Sequence, residues 1–335
     1  MRFVLIGLVG VFFGCATARH EPAVRGLPED DVGGASFSAV WVGHATVLMR
    51  FGLRTILADP NLSGAILVYP RLTPPSVSVR ELPPIDFVLL SHMHVDHFDA
   101  RTVRALGPRP IVVFPAGGEA YTASLEQRKQ ALKSWQTVKL GGLSITAVPV
   151  AHEGGRYAVD SLWNHAYCGF VIEGEGRTVL FAGDTGWDEK KFAAIRARFP
   201  KLDLAFIPIA PARGGNKAHA SPEEALDIFA AVGARYMVPI HFEAYYSSLV
   251  PYDEPRKRLE AAIEKRGLGD KVYALRTGER FVLPDAAGEE PWVSDELPPG
   301  KAEPPKQEPL PPAEPAKPPK GAADPANAAR PAPAG

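Results

Sequence analysis

The chain has 335 residues, of which 46% are hydrophobic and 22% charged, a balance that excludes wholesale disorder. Its 37 Lys and Arg residues against 38 Asp and Glu leave a net charge of −1, without the basic excess that nucleic-acid binding requires. Two cysteines, Cys15 and Cys168, exclude a disulfide framework and a four-cysteine zinc site.

The first element reads as an address. Arg2 precedes an apolar run from Phe3 to Phe13, too short to span a bilayer as a helix but of signal-core length. The run ends at Gly14-Cys15 and resembles the bacterial lipoprotein signal, although Phe12 and Phe13 are bulkier than that pattern's usual residues. The resemblance implies a lipid on Cys15 that anchors the chain in the bacterial cell envelope, facing the periplasm or on the outer membrane. Residues 16–35 are then expected to form a tether.

Residues 36–284 are expected to form one domain of short strands with a few helices between them. Apolar and β-branched runs predict strands over 37–51, 55–57, 85–90, 111–114, 137–140, 143–150, 204–209, 236–240, 272–275 and 280–283. The runs 167–173 and 177–182 flank Gly174-Glu175-Gly176 and read as a hairpin. Cys168 lies in the first of these and reads as a small buried residue. Helices are expected over 99–106, 118–128, 189–198 and 255–266. Another is opened by Ser221-Pro222-Glu223-Glu224, with serine as cap and proline at the first position, and is closed by Gly233. Past 284 the chain is expected to be a disordered tail, because 13 of the 38 residues from Pro298 to Gly335 are proline and little apolar surface is left to bury.

The chemistry is concentrated in Ser91-His92-Met93-His94-Val95-Asp96-His97, between a predicted strand and a predicted helix. Alternate side chains of an extended segment share a face, so His92 and His94 can address one metal. The turn that follows carries Asp96 and His97 toward a second point. Imidazole nitrogens and a carboxylate suit Zn²⁺, with Fe or Mn also accommodated. Three further strands end on candidate ligands: His152 after Val148-Pro149-Val150-Ala151, Asp184 after Phe181-Ala182-Gly183, and His241 after Val238-Pro239-Ile240.

In this order, with Asp59 in Leu57-Ala58-Asp59-Pro60, these motifs resemble the metallo-β-lactamase fold superfamily over residues 37–284. The resemblance implies an α/β fold, a four-layer αββα sandwich with a dinuclear metal site at one sheet edge. It implies that His92, His94 and His152 hold one metal, that Asp96, His97 and His241 hold the other, and that Asp184 bridges them. It further implies that Asp59 supports the ligand loop without touching metal, and that a hydroxide between the two metals attacks phosphorus or a carbonyl carbon.

Trp41-Val42-Gly43-His44-Ala45-Thr46, Leu82-Pro83-Pro84-Ile85-Asp86 and Pro222-Glu223-Glu224-Ala225 narrow the resemblance to the branch of N-acyl phosphatidylethanolamine-hydrolysing phospholipase D and its bacterial relatives. L-ascorbate-6-phosphate lactonase is a more distant cousin. In that branch His219 matches an additional active-site histidine, expected to act on the leaving group. His44 is expected to pack or hydrogen-bond beside the site. The sequence departs from the branch at Glu153, where tryptophan is usual.

A phosphodiesterase acting on a phospholipid is therefore expected. The alternatives are a lactonase or other ester or amide hydrolase on the same site, or a non-catalytic envelope protein. Tyr157, Trp163, Tyr245 and Tyr246 are candidates for an apolar wall or for ordinary packing, and His165 for a substrate contact.

Overall fold

The computed structural model describes residues 20–27, 35–157, 160, 163–211, 217–245, 251–285 and 290–294. Cys15 with its apolar run, Tyr246 and nearly all of the proline-rich segment lie outside them. No helix among the described residues is long and apolar enough to cross a membrane.

In chain order the strands are β1 (Phe37–Gly43), β2 (Thr46–Phe51), β3 (Arg54–Ala58), β4 (Ala65–Ile66), β5 (Tyr69–Pro70), β6 (Phe87–Leu89), β7 (Ile111–Pro115), β8 (Arg128–Leu132), β9 (Thr137–Leu140), β10 (Leu143–Val148), β11 (Gly169–Gly174), β12 (Arg177–Phe181), β13 (Leu204–Pro208), β14 (Tyr236–Ile240), β15 (Arg280–Leu283) and β16 (Trp292–Ser294). The helices are α1 (Ala100–Ala105), α2 (Glu119–Thr122), α3 (Glu189–Arg198), α4 (Pro222–Val232) and α5 (Glu254–Arg266). One sheet has the order β16-β15-β1-β2-β3-β6-β7-β8 and the other β14-β13-β12-β11-β10-β9.

Period-two alternation sorts the first sheet's side chains into two clusters. Phe37, Ala39, Trp41, Ile56 and Phe87 face the second sheet and join Ile145, Phe170 and Phe206 in the central core. Their neighbours Val40, Val42, Leu57 and Val88 point outward to Phe98 and to Val103 of α1. On the far side, Phe192 and Ile195 of α3, Leu226 and Phe229 of α4 and Leu259 of α5 cover the second sheet. The result is the expected αββα sandwich. β3 and β6 run parallel, as do β12, β13 and β14, and β10 shares their direction through two antiparallel steps. The carboxyl ends that carry Asp59, Ser91–His97, His152, Asp184 and His241 are thereby delivered to one edge.

Several sequence expectations need correction. The strand expected over 37–51 is two strands, because His44 takes a left-handed φ of 57° and turns the chain. The helix expected over 118–128 stops at Thr122, and Arg128 opens β8, an edge strand on β7. The strand expected at 272–275 is reduced to one bridge between Val272 and Met237. β16 continues the first sheet past 284, and Asp285 accepts from the Ser36 amide, so the domain reaches further than its expected end. Part of the expected tether is packed: the amides of His20, Val24 and Gly26 donate to Leu72, Thr277 and Ser76, and Val24 is buried.

Candidate metal centre

The loop after β6 is fixed from several directions. The Ser91 amide and hydroxyl donate to the two oxygens of Asp59 at 2.7 and 2.6 Å. Asn61 Nδ2 donates to the Val95 carbonyl, and Arg156 Nη1 donates to the carbonyls of Met93 and Phe98. Asp99 caps α1 by accepting from the Arg101 amide. The loop is thus held from β3 and from the segment after His152 before any ligand binds.

The tautomers of the cluster follow from these partners. A carboxylate or carbonyl oxygen only accepts, so each ring nitrogen facing one carries the hydrogen. His97 Nδ1 donates to Asp59 at 2.7 Å, His152 Nδ1 to the Ala218 carbonyl at 2.9 Å, and His241 Nδ1 to the Ala210 carbonyl at 3.0 Å. The Ser91 hydroxyl hydrogen is committed to Asp59, so His92 Nδ1 donates to Ser91 Oγ at 2.9 Å. Four rings therefore turn Nε2 inward, as metal-binding histidines do: His92 and His152 offer a lone pair there, while the Nε2 of His97 and of His241 faces carboxylates and carries a proton that a metal would displace.

The inward ligand atoms fall into two sets. His152 Nε2 lies 3.2 Å from His92 Nε2 and 3.3 Å from His94 Nδ1. In the second set Asp96 Oδ2 is 3.5 Å from His97 Nε2 and 3.3 Å from His241 Nε2, while Asp184 Oδ2 is 3.2 Å from each of those nitrogens. Ligand atoms around a tetrahedral zinc, each about 2.0–2.1 Å from the ion, are about 3.3 Å apart. The facing lone pairs of His92 and His152 repel unless a cation lies between them, and in the second set protons on His97 and His241 occupy the place a cation would take. Among the described residues, His97 Nε2 and Asp184 Oδ1 are buried with no hydrogen-bond partner. The donor set therefore fits divalent metal. Asp184 stands between the two sets, since its carboxylate also lies within 4.8 Å of His152 and His219 ligand atoms.

Charge in the cation-free cluster agrees. Burial pushes the imidazoles of His152 and His44 down to about 3, and holds His92, His94 and His219 below their ordinary value. Burial opposes the charge on His97 as well, yet Asp184, Asp96 and Asp59 hold that ring well above its ordinary value. His97 stands in for the positive charge that the buried carboxylates of Asp59 and Asp184 and the half-buried one of Asp96 demand.

Every motif residue expected at the site is gathered here. Asp59 touches Ser91 and His97 and supports the loop. His44 donates from Nε2 to Asp96 Oδ2 at 3.0 Å, and its own carbonyl accepts from the His241 amide and from Trp41 Nε1. His219 Nδ1 is 3.4 Å from Asp184 Oδ2. His44, Asp59 and His241 all have φ between 41° and 67°, so strained backbone concentrates at the cluster. His165 lies instead in a second cavity with Lys133, Lys191 and Tyr167.

A cavity of about 240 Å³ opens on His44, Asp96 and His241, walled by Ile66, Pro211, Phe242, Tyr245, Pro251 and Tyr252. Tyr245 belongs to this wall, whereas Trp163 and Tyr157 are exposed elsewhere. Sequence reasoning missed Arg71. It is buried, donates to the Asn61 carbonyl and lies 4.9 Å over the Tyr245 ring. Among the described residues, its Nε and Nη2, like the Tyr245 hydroxyl, have no hydrogen-bond partner. An arginine in a proline-rich stretch gives no local signal of that position.

The chain matches the family described as "Beta-lactamase superfamily domain" over residues 54–242, and it belongs to that family. It is a metal-dependent hydrolase of the metallo-β-lactamase fold. An uncharacterized protein of Mycobacterium tuberculosis is 34% identical to it, over 74% of this chain and 71% of the relative. The N-acyl-phosphatidylethanolamine-hydrolyzing phospholipase D 1 of Caenorhabditis elegans is 31% identical, over 72% and 74%. Among solved structures, a possible metal-dependent hydrolase from Veillonella parvula shares the fold, with a TM-score of 0.62 at 16% identity over 74% of this chain and all of that one.

Proposed function

We propose that the protein is a phosphodiesterase that cleaves a phospholipid such as N-acyl phosphatidylethanolamine. The observation that carries this reading is the cavity, which is largely apolar and opens directly on Asp96 and His241 of the ligand cluster. An acyl chain fits such walls, while the adjoining cluster suits a charged phosphate. The Caenorhabditis relative, named for that reaction, supports the same reading.

His92, His94 and His152 would hold one divalent metal, and Asp96, His97 and His241 the other, with Asp184 shared between them. Zinc suits these ligands, and so do iron and manganese. Metal bound by these residues would supply Lewis acidity toward water and the reacting phosphate. Asp184 would orient the attacking water through its inward oxygen. Burial keeps the His219 ring neutral at pH 7 against the pull of Asp184. It can therefore hold a phosphate oxygen or relay a proton to the departing alkoxide. His44 fixes the Asp96 carboxylate from outside. Water adds to phosphorus and the P–O bond to the N-acylethanolamine breaks, leaving phosphatidate. In this reading Cys15 carries a lipid anchor that keeps the enzyme at the bacterial envelope, where its substrate lies.

The test is incubation of the zinc-loaded protein with N-acyl phosphatidylethanolamine in mixed micelles, with products read by mass spectrometry. Phosphatidate and N-acylethanolamine in equal amounts are expected. Release of free fatty acid, or turnover of lactones but not of the diester, would contradict the proposal.

A further inference from the structure

Between Asp59 and the ligand loop the chain projects a small hairpin. Residues 61–70 read Asn-Leu-Ser-Gly-Ala-Ile-Leu-Val-Tyr-Pro and contain no charge. Within them β4 and β5 pair with each other and join neither large sheet. At the tip Leu67 is 68% exposed, Val68 84% and Tyr69 47%. The turn is Leu67-Val68, and Leu67 has a φ of 50°, a conformation that favours glycine or asparagine. A leucine there gives up backbone fit and gains apolar surface. Three consecutive exposed apolar side chains on a two-stranded ribbon cost solubility unless something meets them.

The hairpin's base belongs to the rim of the cavity. Ile66 lines it, and Arg71 bridges to Tyr245. His20, the first described residue, lies on the same rim. The His20 ring stacks on Tyr252 with centroids 3.9 Å apart, and its amide donates to Leu72. Cys15 lies only five residues before His20, a reach of at most about 18 Å. The apolar tip, the cavity mouth and His20, five residues after Cys15, therefore share one face.

We propose that this face rests on a lipid bilayer, with Leu67, Val68 and Tyr69 inserted at the head-group boundary. Tyrosine suits that boundary, since its ring is apolar and its hydroxyl wet. Three side chains cover far less than the roughly 1,000 Å² that a stable dimer buries, which favours a membrane over a second copy of the chain. Combined with the phospholipid reading above, on which this part rests, the cavity mouth opens onto lipid and an acyl chain enters without crossing water.

The test places an environment-sensitive fluorophore on Val68→Cys in the full chain carrying Cys15→Ser, with Lys139→Cys, exposed on the edge strand β9 of the second sheet, as the comparison. Cys168 is buried and does not compete for label. With vesicles of phosphatidylethanolamine and phosphatidylglycerol, the probe at 68 is expected to shift to the blue and to gain protection from an aqueous quencher, while the probe at 139 does neither. An unchanged probe at 68, an equal change at both positions, or a concentration-dependent shift without vesicles would each overturn the proposal. Turnover of a soluble chromogenic diester, followed in the same samples, separates it from the phosphodiesterase reading. Turnover with an aqueous tip removes the membrane contact alone, and an inserted tip without turnover removes the enzyme activity alone.

Discussion

Asp59 shows how one buried carboxylate sets a site it need not enter. It accepts from Ser91 twice and from His97, and through Ser91 it also fixes the His92 tautomer. Asp59→Asn keeps the shape but sets an amide against groups that already donate. Zinc affinity, measured by chelator competition, should fall about 10–100-fold with the far-UV spectrum unchanged. An unchanged affinity would remove Asp59 from the account. Cys168 offers a second residue-level test. Burial pushes its thiol well above the ordinary value, and the charge of Asp59 adds to the effect. The folded protein should leave this thiol unmodified by a disulfide reagent at pH 8, with reaction appearing only on unfolding.

At the scale of elements, close approach decides whether the two sheets can share ligands. Gly183, at the end of β12, has a φ of 63°, and a Cβ there would sit 2.4 Å from Ser91 Cβ. Gly183→Ala should separate the Asp184 turn from the ligand loop, and elemental analysis of the purified variant should find less metal than in the parent. Away from the site, α4 begins with a reciprocal cap, in which Ser221 Oγ accepts from the Glu224 amide and Glu224 accepts from the Ser221 amide. Ser221→Ala should cost about 1 kcal/mol, read by calorimetry as a fall in Tm of about 2–4 °C. Elements whose cues are local were legible in the sequence, and α3 at Glu189–Arg198 and β14 at Tyr236–Ile240 fall where expected. β8 was not legible, because Arg128-Lys129-Gln130-Ala131 are helix formers and only the edge of β7 makes them a strand. The break at His44 was equally hidden, since nothing in Gly43-His44-Ala45 announces a left-handed histidine. The ligand loop was legible because its residues lie within one short segment, whereas Arg71 and Arg156 reach the site only through the fold.

Over the whole molecule, a sandwich built around a core of apolar side chains carries, at one edge, a cluster of imidazoles several of which burial keeps uncharged. The metal-free protein should therefore be acid-sensitive. His44 and His152 stay neutral in the folded state down to about pH 3, whereas the unfolded chain protonates them below about pH 6.5. The unfolded state thus binds more protons in that window, and stability falls as pH falls through it. His97 and His241, held above their ordinary values, are protonated in both states below pH 6.5 and add no slope there. Urea midpoints of the metal-free protein should drop steadily from pH 6.5 toward 4, and a flat profile would contradict this charge assignment.

The most direct test of the central claim is to titrate zinc into the metal-free chain while following turnover of a chromogenic phosphodiester. Turnover should rise to a plateau at two equivalents, and His94→Ala, with its first set broken, should stay near background at the same loading. Two tightly bound metals without diester turnover, or turnover indifferent to zinc and to His94, would contradict that claim.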